Sequence, residues 1–316
     1  MFTSVVLRNN MLYKSIKEVI SYNFFRYINI FSEDHIKIIE VGLRDGLQNH
    51  KTFIPTEKKN KLIYKLVKAG ITDLEATSFV SPKAIPQMAD SSEVMEYCNN
   101  TFRGINFSAL VPNINYYNKS LESNLKSIAI FTTASETFCN KNLRCSIDES
   151  LERYKEVCKK AKKNGNFIRG YVSCIAGCPY EGDISINKIV NVCQELLDMG
   201  CDEISLGDTI GIGTPEQIEN ILNALSLNGI PMYRCAVHFH DTNGRALDNI
   251  MVSLKKGISV IDSSINGLGG CPFAPGAPGN VATEKVVEML HGLGLKTGID
   301  ISLLNEAKEY AKKITI

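Results

Sequence analysis

The chain has 316 residues, 44% of them hydrophobic, and its 35 Lys and Arg against 34 Asp and Glu leave a formal net charge of +1. That length holds one large domain or two ordinary ones with a substantial core. The near-neutral balance excludes a strongly basic nucleic-acid surface, and no apolar run is long enough to read as a membrane span.

The first segment differs from the rest. Residues 1–31 carry Arg8, Lys14, Lys17 and Arg26 against one acid, Glu18, with Phe2, Leu7, Met11, Leu12, Tyr13, Ile16 and Ile20 interspersed. A basic, acid-poor, partly amphipathic stretch over 1–34 reads as an organellar transit peptide, or else as an extension with no targeting role. The first reading places the protein in the mitochondrial matrix; the alternative is the cytoplasm. Residues 35–316 are expected to form the remaining unit, a catalytic barrel with C-terminal helices.

From residue 35 a β-like run, a turn and a helical pattern recur. Strands are predicted at 36–41, 71–76, 106–111, 127–132, 168–174, 202–206, 234–239 and 259–264. Helices are predicted from Thr56 to a stop at Gly70, from Ile186, with Ser185 as cap, to Gly200, and from Pro215 at the first helical position to about Asn228. Eight strands, each followed by a helix, are the count and size of an α/β (β/α)8 TIM barrel. An open nucleotide-binding sheet has little support, because no GxGxxG follows the first strand.

In such a barrel the active site lies at the C-terminal ends of the strands, and chemistry-bearing residues fall there. Arg44, Asp45 and Gln48 follow the first strand in Gly42-Leu43-Arg44-Asp45-Gly46-Leu47-Gln48, a glycine-flanked turn suited to close backbone approach to a ligand. Glu75 ends the second strand and Asp208 follows the sixth. His238 and His240 close the seventh, where residues two apart project to one side and can share a metal ion. Taken alone, such a pair is equally a packed or solvated one. After the eighth strand comes Gly267 to Asn280, with five glycines and three prolines, Cys271 near its start and Asn280 at its end. That composition suits a mobile lid. The ten cysteines show no zinc-ribbon or CxxC spacing and read mostly as buried fillers in a reducing compartment.

The chain resembles the 3-hydroxy-3-methylglutaryl-CoA lyase family. The matching segments are Val41 to Asn49, Thr77 to Lys83 with Pro86-Gln87-Met88, Arg169 to Cys174 and Gly177 to Gly182. They continue with Glu203 to Gly211, His238-Phe239-His240-Asp241-Thr242, and Gly267 to Asn280, over about residues 36–300 in all. The resemblance implies divalent-cation ligands at Asp45, His238, His240 and Asn280, with Mg2+ or Mn2+ as the ion. It implies that Arg44 holds the thioester carbonyl oxygen, that Cys271 protonates the acetyl-CoA carbanion, and that Gln48, Glu75 and Asp208 serve the substrate side. Catalysis would then rest on Arg44, Cys271, Asp45 and His238. Which of Asp45 and His238 takes the hydroxyl proton stays open, since one group cannot be both a tight ligand and a free base. Leu43 departs from the family's usual proline, which should change turn stiffness more than chemistry.

The expected reaction is retro-Claisen cleavage of 3-hydroxy-3-methylglutaryl-CoA to acetoacetate and acetyl-CoA, by a homodimer acting on an acyl-CoA with no nucleic-acid or membrane partner. The competing enzyme class is a synthase that condenses acetyl-CoA with a 2-oxo acid and usually bears a longer C-terminal region. A non-enzymatic alternative is a metal-binding barrel that has lost activity.

Overall fold

The computed structural model describes residues 35–269 and 279–316. Eight strands, β1 (Lys37–Glu40), β2 (Asp73–Ser78), β3 (Asn106–Leu110), β4 (Ser127–Thr133), β5 (Phe167–Ser173), β6 (Glu203–Asp208), β7 (Cys235–Phe239) and β8 (Val260–Ser263), form one closed parallel barrel. Each pairs with its sequence neighbour, and β8 returns to β1 with Lys37 opposite Val260 and Glu40 opposite Ser263. The helices that wrap it are α1 (Thr56–Lys68), α2 (Ser91–Thr101), α3 (Ile114–Ser120), α4 (Glu136–Leu143), α5 (Ile147–Lys163), α6 (Ile186–Asp198), α7 (Pro215–Leu227), α8 (Ala246–Lys255), α9 (Thr283–Gly292) and α10 (Ile301–Ile314). The (β/α)8 expectation holds. The leader, residues 1–34, lies outside the described residues.

Local chemistry sets the helix limits. Pro215, which has no N–H to satisfy, opens α7, and the Thr214 hydroxyl accepts from Gln217 N at 3.2 Å, which meets one of the backbone groups left open at the helix start. Helix α5 begins with a reciprocal pair in which Ser146 Oγ accepts from Glu149 N and Glu149 Oε2 accepts from Ser146 N. Two helices start where expected, at Thr56 and Ile186, but without a capping bond from a side chain. Thr56 does not cap α1: its hydroxyl donates to Asp90 Oδ2 at 2.8 Å, and Pro55 precedes the helix. Ser185 precedes α6 without a side-chain bond. Gly70 ends the α1 unit as expected, at φ +101°, where a Cβ would meet the Gly298 carbonyl oxygen at 2.3 Å.

Strand alternation divides the interior into two layers. Leu74, Ala76, Ile204, Leu206, Val237, Phe239 and Ile261 face outward into the main core between sheet and helices. Their neighbours face the barrel axis. Near one end of that axis Ile39, Val41, Ala236 and Val260 form a small separate apolar cluster. Further positions of the same alternation, Glu75, Arg169, Tyr171, Glu203, Ser205, His238 and Asp262, are polar and buried. Barrel interiors are usually filled by branched apolar side chains, so a charged one signals a function at its open end.

Candidate active site

The turn after β1 is a wide one, in which the Val41 carbonyl receives N–H bonds from Asp45 (2.8 Å) and Gly46 (3.2 Å). This winding places Arg44 and Asp45 side by side at the barrel mouth. Its glycines make room for protein rather than ligand, which corrects the sequence expectation. A Cβ on Gly46 would lie 2.8 Å from that of Leu268. The answering residue, Gly269, sits at φ +97°, where a Cβ would meet Asn280 Nδ2 at 2.7 Å and Gly46 Cα at 3.1 Å.

Asp45, His238 and His240 bring one ligand atom each to within 4.8 Å of one another. His238 lies in β7, and His240 follows it, bridged to Asn280. The two rings stand 5.7 Å apart on the same side, as the two-residue spacing requires. Burial pushes the Asp45 carboxyl up, but Arg44, His238 and His240 with the Asn280 bond outweigh it and hold it at about 2. Burial, then His238, lowers His240 to about 4, so its imidazole is neutral. His240 Nδ1 is buried and has no hydrogen-bond partner among the described residues. A buried polar atom without a partner is costly. An ionised carboxylate, the neutral imidazole of His240 and the adjacent ring of His238 around that nitrogen therefore fit a divalent cation. Asn280 adjoins them, but its amide nitrogen donates to Asp45 Oδ2 at 2.7 Å. Service as an oxygen ligand requires the other face of that amide.

A charged network extends downward from this cluster. Arg44 pairs with Asp45 through Nη1 at 2.6 Å and with Glu75 through Nε. The Tyr171 hydroxyl donates to the other Glu75 oxygen, and the guanidinium carbons of Arg44 and Arg169 both lie 5.2 Å from the Tyr171 ring centroid. Arg169 bridges Glu203 (2.9 Å) and Asp262 (2.6 Å), and Asp262 reaches His238 Nδ1 at 3.1 Å. Two guanidiniums thus face four carboxylates, and a divalent cation would balance the formal excess. Sequence reading passed over Arg169, Tyr171, Glu203 and Asp262 as site residues. Their signal was present: each interrupts an apolar strand at an alternate, inward position.

A cavity of about 330 Å³ opens over the cluster, lined among others by Arg44, Asp45, Gln48, Tyr171, His238, His240 and Gly269. Gln48 also donates to Asp45 Oδ1 at 3.0 Å. Two predicted substrate residues stand elsewhere. Glu75 lies within β2 rather than at its end, beside a bulge in the pairing with β3, and its carboxylate is spent on Arg44 and Tyr171. Asp208 is the last residue of β6, and its oxygens accept from Ile212 N (3.3 Å) and Gly213 N (2.8 Å), so it shapes the following loop. Neither lines the cavity. Cys271 lies outside the described residues, as does most of the expected lid. The nine described cysteines are free and buried.

The model of the HMGL-like family matches residues 35–310. The chain belongs to the HMGL-like family. It is 53% identical over 272 residues to the mitochondrial hydroxymethylglutaryl-CoA lyase of Bos taurus, covering 86% of this chain and 83% of that protein. The crystal structure of the HMG-CoA lyase from Brucella melitensis superposes with a TM-score of 0.85 at 48% identity, covering 89% of this chain and 99% of that one. An Acinetobacter baumannii HMG-CoA lyase in complex with coenzyme A and 3-methylmalate aligns with a TM-score of 0.83 at 34% identity, over 90% and 92%. The family therefore includes mitochondrial and bacterial members, and no described helix is long and apolar enough to cross a membrane.

Proposed function

We propose that the protein cleaves 3-hydroxy-3-methylglutaryl-CoA to acetoacetate and acetyl-CoA with the help of Mg2+ or Mn2+ held by Asp45, His238, His240 and Asn280. The observation that carries this reading is the shared carboxylate. Asp45 adjoins both histidines and pairs with Arg44, so a metal-held group and an arginine-held group would meet over one cavity.

When bound, the cation supplies a Lewis acid that lowers the pKa of the substrate's tertiary hydroxyl and fixes its orientation. Arg44 is permanently charged and receives the thioester carbonyl oxygen as negative charge develops there on C–C cleavage. Glu75 and Asp45 hold that guanidinium in place, and among the described residues Nη2 forms no bond that competes with substrate. Of the two candidates for the hydroxyl proton, Asp45 and His238, the acceptor would be the one that the cation does not hold tightly. The acetyl carbanion takes its proton from the Cys271 thiol, whose ordinary pKa of about 8.5 lies near working pH.

Incubating the purified protein with 3-hydroxy-3-methylglutaryl-CoA and Mg2+ should release acetoacetate. If it instead consumed acetyl-CoA and a 2-oxo acid with release of free CoA, the condensing class would replace this assignment. Residues 1–34 are read as a mitochondrial import signal, a role the compartment of the bovine relative supports. A reporter carrying this segment should enter mitochondria, and a chain starting near Asp34 should keep full activity.

A further inference from the structure

We propose that Asp262 is a positioning residue that fixes the tautomer of His238, so that Nε2 is free to bind the cation and Nδ1 carries the proton. This rests on the cation site described above and names what prepares it. Asp262 lies on β8 directly opposite His238 on β7, and its side chain is fully buried. One oxygen, Oδ2, accepts from His238 Nδ1 at 3.1 Å and from Ser205 Oγ at 2.9 Å. The other, Oδ1, meets Arg169 Nη2 at 2.6 Å. An ionised carboxylate only accepts, so the imidazole proton must sit on Nδ1. That leaves the lone pair on Nε2, which lies 3.8 Å from Asp45 Oδ2, on the cation side. The edge-on packing of Tyr171 against the His238 ring, centroids 5.7 Å apart at 84°, holds the ring in this orientation. Outer carboxylates of this kind commonly tune a ligating imidazole.

The surroundings make a sharp prediction for Asp262→Asn. Arg169 has no acceptor atom, so the amide nitrogen cannot face it at 2.6 Å. The amide oxygen must turn to Arg169 and the amide nitrogen to Ser205 and His238. Ser205 Oγ can rotate to accept one N–H. The other N–H then donates to His238 Nδ1, which drives the ring proton onto Nε2, the atom needed for the cation. A substitution that preserves volume thus inverts the tautomer.

The chain has five histidines, so selective 15N-histidine labelling gives a countable spectrum, with the His238 signal assigned by its loss in His238→Gln. In the metal-free wild type at about pH 8, His238 should show a protonated Nδ1 and an unprotonated Nε2. In Asp262→Asn the pattern should reverse, and Mn2+ affinity measured by electron paramagnetic resonance should fall by about 10- to 100-fold or more. A wild-type His238 protonated on Nε2 would overturn the assignment even if the variant failed to fold. Wild-type protein that binds Mn2+ no better than the variant would also overturn it. Wild-type protein that binds no Mn2+ would instead remove the cation reading, and the Asp262 assignment with it.

Discussion

Glu40 and Asp45 stand at the two ends of the same turn, both carboxylates, the first fully buried and the second partly so, and the protein treats them in opposite ways. Asp45 faces the cavity beside Arg44 and the histidine pair, and it is held at about 2. Glu40 faces the packed shell between β1, the loop after β8 and α9. Its oxygens accept from Gly42 N and Ile265 N, both at 2.8 Å, and from Thr283 Oγ1 at 2.7 Å. Burial, reinforced by nearby Glu284, nevertheless pushes it up to about 7 against those bonds. Three neutral donors do not offset the loss of water around an anion, whereas an adjacent guanidinium joined by two imidazoles and an amide donor does. The difference separates a carboxylate kept charged for chemistry from one that holds backbone together.

The largest break in this contrast comes at Asp45. Asp45→Ala, or chelation with EDTA, should lower acetoacetate production by about three orders of magnitude or more, and Mn2+ or Mg2+ should restore only the chelated wild type. Full activity in chelator would mean that the anionic side of the comparison has been misread. Next in size is Cys271→Ser. Since a serine hydroxyl is a far weaker acid than a thiol, turnover should fall by about 10²- to 10⁴-fold while Mn2+ affinity stays unchanged. Near-wild-type turnover would move the proton donor to another group.

Glu75→Gln sharpens the comparison by weakening the grip on Arg44 without removing the cation. The loss of one charged hydrogen bond should reduce kcat/KM by about 10- to 100-fold, with Mn2+ affinity altered much less. Equal losses in both measurements would show that Glu75 supports the cation site directly.

Glu40→Gln should leave turnover almost untouched and change stability instead. The folded protein holds the Glu40 proton more tightly than the unfolded chain, whose carboxyl titrates near 4.5. Its contribution is therefore fully present below that value and is lost as pH rises to about 7. Gln keeps an acceptor for Gly42 and Ile265, and its amide can donate to the Thr283 hydroxyl. The variant should gain over wild type between pH 5 and 7, reaching on the order of 3 kcal/mol at pH 8. Melting temperatures across that range measure it, and a pH-independent difference would rule out a protonated Glu40. Asp45 carries the opposite sign, stabilising the fold above about 4 and losing that contribution as pH falls toward about 2.

The barrel was legible in the sequence because a strand that buries one face against helices repeats with period two and helices repeat with period 3.6, whatever their partners. Ligand-type residues were legible where they cluster beyond strand ends, as with Arg44, Asp45, His238 and His240. What the sequence by itself determined was the eight-fold order of elements and the chemistry available at the mouth. Only the tertiary structure decided how that chemistry is supported. Glu75 and Asp208 look alike in sequence, polar residues at the ends of strands, yet one grips Arg44 and the other a loop backbone. Asp262 showed in the sequence only as a charge inside an apolar strand, and its partner was not legible, because its role depends on closure of the barrel, which sets β8 beside β7 and aligns it with a histidine 24 residues earlier. Charges that meet across a closed sheet carry no spacing in the chain, so their partners are fixed by register alone.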